Sequence, residues 1–159
     1  MVPIRRNYAD ELIRARPQRG LFPRKEALLF SERVYYSDPR TVSVLTPGTL
    51  LVFYESLTDD GVGAAIACAR VVRSGLAIDR DIPMETRRRG VLETGDPLIS
   101  GTRNLTFFDN LMVLSMPVRL QRLKEMGCWH SGNLVTSRPL STEQFQLIVK
   151  EGLPSAKLY

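Results

Sequence analysis

The sequence predicts an α+β fold: a small mixed β-barrel with helices at its periphery. Three observations carry this. Leu50 to Tyr54 is an unbroken apolar run of strand-forming residues between Pro47-Gly48 and Glu55-Ser56, the pattern of a strand covered on both faces. A second run, Gly63 to Val72, follows after a short polar loop. The rest of the chain shows no internal repeat, no low-complexity tract and no alternation of strands with long helices, which argues against βαβ units.

At 159 residues, 43% hydrophobic and 25% charged, the chain is long enough for one domain with a real core. Its organisation is read as a basic N-terminal helix or arm, residues 1–26, followed by the barrel domain, residues 27–159. In the arm, Asn7 is placed to cap a short helix closed by Pro17, with Leu12 and Ile13 facing inward. Arg5, Arg6, Arg14, Arg16 and Arg19 make this end cationic, and Arg19 to Arg24 reads as a loop.

Ala27 to Tyr36 is a strand or strand pair interrupted by Ser31-Glu32-Arg33, and Ser37-Asp38-Pro39-Arg40 is a turn. The Leu50–Tyr54 strand comes next. Asp60-Gly61 marks the hairpin after it, in a loop wider than two residues. The following run is rich in Ala64, Ala65, Ala67 and Ala69, poor strand formers that could also be helical; the strand reading needs a crowded interior that takes only small side chains. Ser74 to Gly95 reads as irregular, with a short helix started at Pro83 and stopped by Gly90. Asp96-Pro97 marks a turn. Thr102 to Leu114 is a long strand with a bulge or reversal at Asp109-Asn110. Pro117 is read as opening a helix that buries Leu120, Leu123 and Met126 and ends at Gly127, and Asn133 to Thr136 as a short strand. The last helix has the clearest local signature: a Ser141/Gln144 capping box, a Leu140/Phe145 staple, a stripe of Phe145, Ile148 and Val149, then Gly152 and Pro154.

No apolar run is long enough to cross a bilayer and no secretory signal is present, so no membrane role and a cytoplasmic setting are expected. Cys68 and Cys128 suit reduced thiols. One histidine and two distant cysteines do not make a metal cluster, and no phosphate-binding loop, dinucleotide fingerprint or nucleophile elbow occurs, so neither metal nor cofactor is expected. Cys128-Trp129-His130 is a weak nucleophile–base pair, because neighbours on an extended segment point apart. No catalytic residue is assigned.

The net charge of +5 and pI of about 9.6 favour a polyanionic partner, usually nucleic acid. The excess is carried by arginine, which forks phosphates and guanine edges; compositional bias of the genome would produce the same excess. The candidate contacts are Arg33, Tyr35, Tyr36 and Arg40 around the first barrel strand, Tyr54, Glu55 and Ser56 at the end of the apolar strand, Arg70 and Arg73 on the next, Arg103 and Asn104 at the start of the long strand, and Trp129. Each has a plain structural alternative. Trp129 and one of the tyrosines can be core, the weightier reading for Trp129. Glu55 can be a solvated strand end, and Arg70 and Arg73 can be its ion-pair partners. Arg87-Arg88-Arg89 is most simply a solvated charge run.

Pro47 to Ser56 followed by Gly63 to Val72 resembles the core of the PUA-like superfamily, which includes the PUA, ASCH and EVE domains. It is similar in particular to barrel domains fused behind bacterial acetyltransferase-type (GNAT) modules. The resemblance covers residues 28 to 152. It implies a PUA-like pseudobarrel that binds RNA or DNA, with a modified or flipped base in a cationic pocket at the barrel mouth. ASCH proteins typically carry Gly-x-Lys-x-x-Glu-x-Arg ahead of the Pro-Gly turn; Phe30-Ser31-Glu32-Arg33 is a degenerate echo without the lysine. The amidohydrolase activity of some members needs that lysine, so the resemblance argues for binding without catalysis. Two alternatives stand beside it. One is an accessory or regulatory domain with a protein partner, such as a fused acetyltransferase-type module or a toxin–antitoxin-like system. The other is a hydrolase on modified nucleosides, for which Glu32, Glu55 and His130 are the available bases.

Overall fold

The computed structural model describes residues 1–13, 30–91, 101–129, 132, 134 and 136–154. Within them the chain runs β1 (Val2–Ile4), α1 (Arg6–Leu12), β2 (Arg33–Ser37), β3 (Leu50–Glu55), β4 (Ala64–Ile78), α2 (Met84–Arg88), β5 (Thr102–Arg119), α3 (Leu120–Glu125) and α4 (Thr142–Gly152), with 3-10 turns at Pro39–Ser43, Thr58–Asp60 and Asp79–Asp81. The strands make one mixed sheet in the order β1-β3-β4-β5-β2. β1 is parallel to β3 and β2 antiparallel to β5. The sheet is not closed: β1 and β2 are its edges among the described residues. The fold is therefore α+β, with helices around a mixed sheet.

The chain forms two compact units. One comprises Met1–Arg6, Leu51–Cys68 and Met112–Tyr159, the other Asn7–Leu50 and Ala69–Leu111. The two long strands β4 and β5 contribute to both.

In the first unit, β3 is buried on both faces from Leu51 to Glu55, as its unbroken apolar run requires. The alanine-rich segment is strand, and Ala64, Ala65 and Ala67 are completely buried; a run with weak intrinsic strand preference is held by tertiary packing, where larger side chains would not fit. Between β3 and β4 the loop is wide, and Asp59, Asp60 and Gly63 take positive φ. The core joins Val52, Tyr54, Ala65 and Cys68 to Leu114, Val118, Leu123, Cys128, Trp129 and Ile148. α4 carries both halves of its capping box: Gln144 N–H donates to Ser141 Oγ at 3.2 Å, and Ser141 N–H donates to Gln144 Oε1 at 2.9 Å. Leu140, Phe145 and Val149 pack on the same core. Gly127, at φ 72°, ends α3.

In the second unit, β2 and β5 pair with Val34 opposite Phe107 and Ser37 opposite Asn104. Val34 and Leu105 form a small core with Ile82, flanked by Tyr36, Ala77 and Phe107. Gly48, at φ 87°, makes the turn into β3, and its N–H donates to Val71 O at 2.9 Å. Gly90 forms a parallel bridge with Val34. A Cβ at Gly90 would stand 2.6 Å from Val34 O and 2.6 Å from Tyr36 Cε2. Because the oxygen belongs to a paired strand, it cannot yield cheaply. Gly90→Ala is expected to destabilise the protein by about 1–3 kcal/mol, read by chemical denaturation.

Several sequence expectations are corrected. Val2–Ile4 is a sheet strand where the sequence suggests none, with Val2 opposite Phe53. Asn7 lies inside α1, which already begins at Arg6, so it is not the cap. Ser74–Ile78 is not irregular but the end of β4, followed by Asp79 N–H donating to Gly101 O at 3.1 Å. β5 passes through Asp109-Asn110 without reversing; Asn110 takes φ 50°, a left-handed conformation that asparagine tolerates. Pro117 lies within β5, and α3 begins only at Leu120. Proline is tolerated in a strand where its missing N–H faces away from the ladder. The expectations placed on Pro17, Leu28-Leu29, Asp96-Pro97, His130, Asn133 and Val135 fall outside the described residues.

Candidate nucleic-acid interface

The second unit holds Arg33, Tyr35, Tyr36, Arg40, Arg70, Arg73, Arg103 and Asn104. Its cations form a strip built on neighbouring strands. Asp109 and Phe107, two residues apart on β5, each take an arginine from β4. Arg70 forks Asp109, with Nε to Oδ1 at 3.1 Å and Nη2 to Oδ2 at 2.8 Å. Arg73 lays its guanidinium 3.6 Å over the Phe107 ring and donates to Glu32 Oε2 at 2.7 Å. The other Glu32 oxygen faces Arg89 Nη1 at 3.5 Å. Arg89 also donates to Glu85 Oε1 at 2.8 Å and stacks over Phe30. Arg89 is brought here by its own backbone, since Val34 N–H donates to Arg89 O at 2.9 Å.

Arg70 and Arg73 are about half exposed, at 51% and 53%. Pairing with Arg70 lowers the Asp109 carboxyl below its ordinary range. Arg40 is more exposed still and is forked by Asp38 with both contacts at 2.9 Å; these hydrogen bonds hold the Asp38 carboxyl at about 2. The partners of Arg70 and Arg73 are thus Asp109 and Glu32, and not Glu55.

Other sequence-selected residues are structural in their contacts. Arg33 donates to Leu12 O at 2.6 Å. Tyr36 O–H donates to Thr86 O at 3.1 Å, and burial pushes its phenol up to about 12. Burial also raises Tyr35. Arg103 pairs with Asp79 at 2.8 Å, both largely covered. Asn104, fully buried, donates from Nδ2 to Thr41 Oγ1 at 2.9 Å and to Thr106 Oγ1 at 3.3 Å.

The first unit holds Tyr54, Glu55, Ser56 and Trp129. Tyr54 and Trp129 are buried and pack ring to ring at 4.8 Å, with the indole N–H donated to Gly132 O at 3.0 Å. This satisfied indole is the core arrangement that outweighed base stacking for Trp129. Glu55 is completely buried and accepts from Val62 N–H at 3.2 Å. Ser56 Oγ lies 2.7 Å from Thr58 Oγ1. Cys68 and Cys128 are free and buried in the same core. Burial raises both thiols, Cys68 to about 11. Neither should be alkylated by iodoacetamide in the native protein at pH 7.5, and both should be on unfolding; rapid native labelling would show the core to be open.

Glu32, Asp109, Phe107 and Arg89 complete the strip and are not among the contacts that the sequence points to. Glu32 lies 41 residues from Arg73 and Asp109 39 from Arg70, so no local pattern joins them. Among the described residues no group of three or more His, Cys, Asp or Glu could hold a metal ion, and no helix is long and apolar enough to cross a membrane.

The arrangement resembles known structures. A mutant of the ASCH protein from Zymomonas mobilis matches with a TM-score of 0.65 over 94% of this chain and 93% of that one, at 11% identity. The non-mutant form of the same protein matches at 0.60 over 80% of this chain and 87% of that one, at 14% identity. The chain therefore shares the fold of these ASCH proteins. No protein-family model and no curated protein sequence matches it.

Proposed function

We propose that this chain is a nucleic-acid-binding domain that holds phosphates on the arginine strip of its second unit. The observation that carries the reading is the pair Arg70 and Arg73: half exposed, on one strand, each oriented by a β5 residue. Such guanidiniums reach phosphate oxygens with little loss of side-chain freedom. The net charge of +5 draws a polyanion to them, and the ASCH-type fold agrees with a nucleic-acid ligand. Arg40, more exposed than either, is a further candidate phosphate contact. Recognition is without turnover, by RNA or DNA. Anisotropy of labelled single-stranded and duplex RNA and DNA at low salt tests this. Saturable binding to at least one is expected, and flat titrations with all four refute it.

One observation favours a second reading, a protein partner. In the first unit Met112 and Met116, two positions either side of buried Leu114 on β5, are 39% and 56% exposed, exposed apolar side chains of the kind that protein contacts use. Tight binding to a protein by a chain that ignores all four oligonucleotides would favour it.

A further inference from the structure

We infer that Arg73 and Arg89 form a site for one phosphate oxyanion, whose place is held in the free protein by the Glu32 carboxylate. The two Glu32 oxygens are divided between the arginines, Oε2 to Arg73 at 2.7 Å and Oε1 to Arg89 at 3.5 Å. A phosphate presents two oxygens in the same way, each to one guanidinium. At 3.5 Å the Arg89 contact is at the limit of a hydrogen bond, so Arg89 is the less firmly engaged of the two.

Three features make exchange feasible. The arginines are positioned by more than Glu32: Arg73 rests on Phe107, and Arg89 is held by Phe30 and by Glu85. They keep their orientation when the carboxylate leaves, so the ordering cost of binding is largely met beforehand. Arg73 is 53% exposed, so its contact with Glu32 is partly screened by solvent. The local balance also matters. Arg73 and Arg89 are matched by Glu32 and Glu85, so the cluster is neutral and gains a net positive charge only when Glu32 swings out or is neutralised. The carboxylate thereby sets a threshold: stray anions are refused, and a phosphate must displace it.

The ligand chemistry is phosphate, either free or in a nucleic-acid backbone. The inference stands on this anion geometry, so it can survive failure of the nucleic-acid reading. Its test is Glu32→Gln, with inorganic pyrophosphate followed by calorimetry and a short labelled single strand followed by anisotropy. E32Q should bind pyrophosphate about tenfold more tightly than the parent at low salt, and Arg73→Ala in that background should abolish the gain. Tightening for the strand as well assigns the site to the nucleic-acid backbone; tightening for pyrophosphate alone assigns it to a free phosphate and leaves the nucleic-acid reading to the four oligonucleotide titrations. If folded E32Q binds neither more tightly, or if E32Q/R73A keeps the gain, the inference is overturned. Should E32Q not fold, the parent chain decides. The Nε–H resonances of Arg73 and Arg89 should move on titration with pyrophosphate, and stationary resonances overturn the inference.

Discussion

Arg103→Ala is expected to cost about 3–5 kcal/mol of folding stability, because it leaves a buried carboxylate without its cation. Asp79 is 6% exposed at its side chain and Arg103 17%, with 2.8 Å between them. The second Asp79 oxygen accepts no hydrogen bond among the described residues. The same aspartate closes the turn after β4, where its backbone oxygen accepts from Arg87. The melting temperature should fall on the order of 10 °C. Removing both charges, as Arg103→Met with Asp79→Asn, should recover most of the loss, since replacing a buried pair is far milder than breaking it. A loss for Arg103→Ala of about 1 kcal/mol or less in a urea titration would mean that the pair behaves as a surface contact.

Reversing both strip cations, Arg70→Glu with Arg73→Glu, should weaken nucleic-acid binding about 100-fold at low salt while the circular dichroism spectrum is kept. Both side chains are about half exposed and contribute only surface ion pairs, so the fold has little stake in them. Arg73→Glu also places a second carboxylate against Glu32, which turns the local field negative. The loss should be uniform across sequences, because phosphate contacts position a ligand and do not read it. A variant that binds as the parent does would move the ligand off this strip.

The parts of the fold legible in sequence are those set by local chemistry. Pro47-Gly48, the double-sided run of β3, Pro83 ahead of α2, Gly127 after α3 and the Ser141/Gln144 box all act within a few residues. The alanine-rich run could be read as strand only by assuming the crowding that the fold supplies. What escaped reading depends on distant partners. Val2–Ile4 becomes a strand because β3 offers a parallel edge, and three residues carry no period of their own. Ser74 to Ile78 looks like loop until the sheet extends it. Pro117 looks like a helix start because its use within a strand depends on which way its nitrogen faces.

The site divides in the same way. Arginine and tyrosine types on β2 and β4 pointed to an anionic ligand, but sequence could not say which arginines were already committed. Arg33 and Arg103 serve the structure through Leu12 and Asp79. Trp129 and Tyr54 serve the core. Glu32 reads from sequence only as a base, yet it bridges two arginines. Its position two residues before the β2 pairing at Val34 is the one local hint that it would lie beside the sheet.

The most direct test of the central claim is the salt dependence of binding to a single-stranded oligonucleotide. If two to four phosphates sit on arginines, log K should fall linearly with log salt, with a slope of about −1.5 to −3. An affinity that does not change with salt, or no measurable binding at the lowest ionic strength, would contradict the claim that this arginine strip is a phosphate-holding surface.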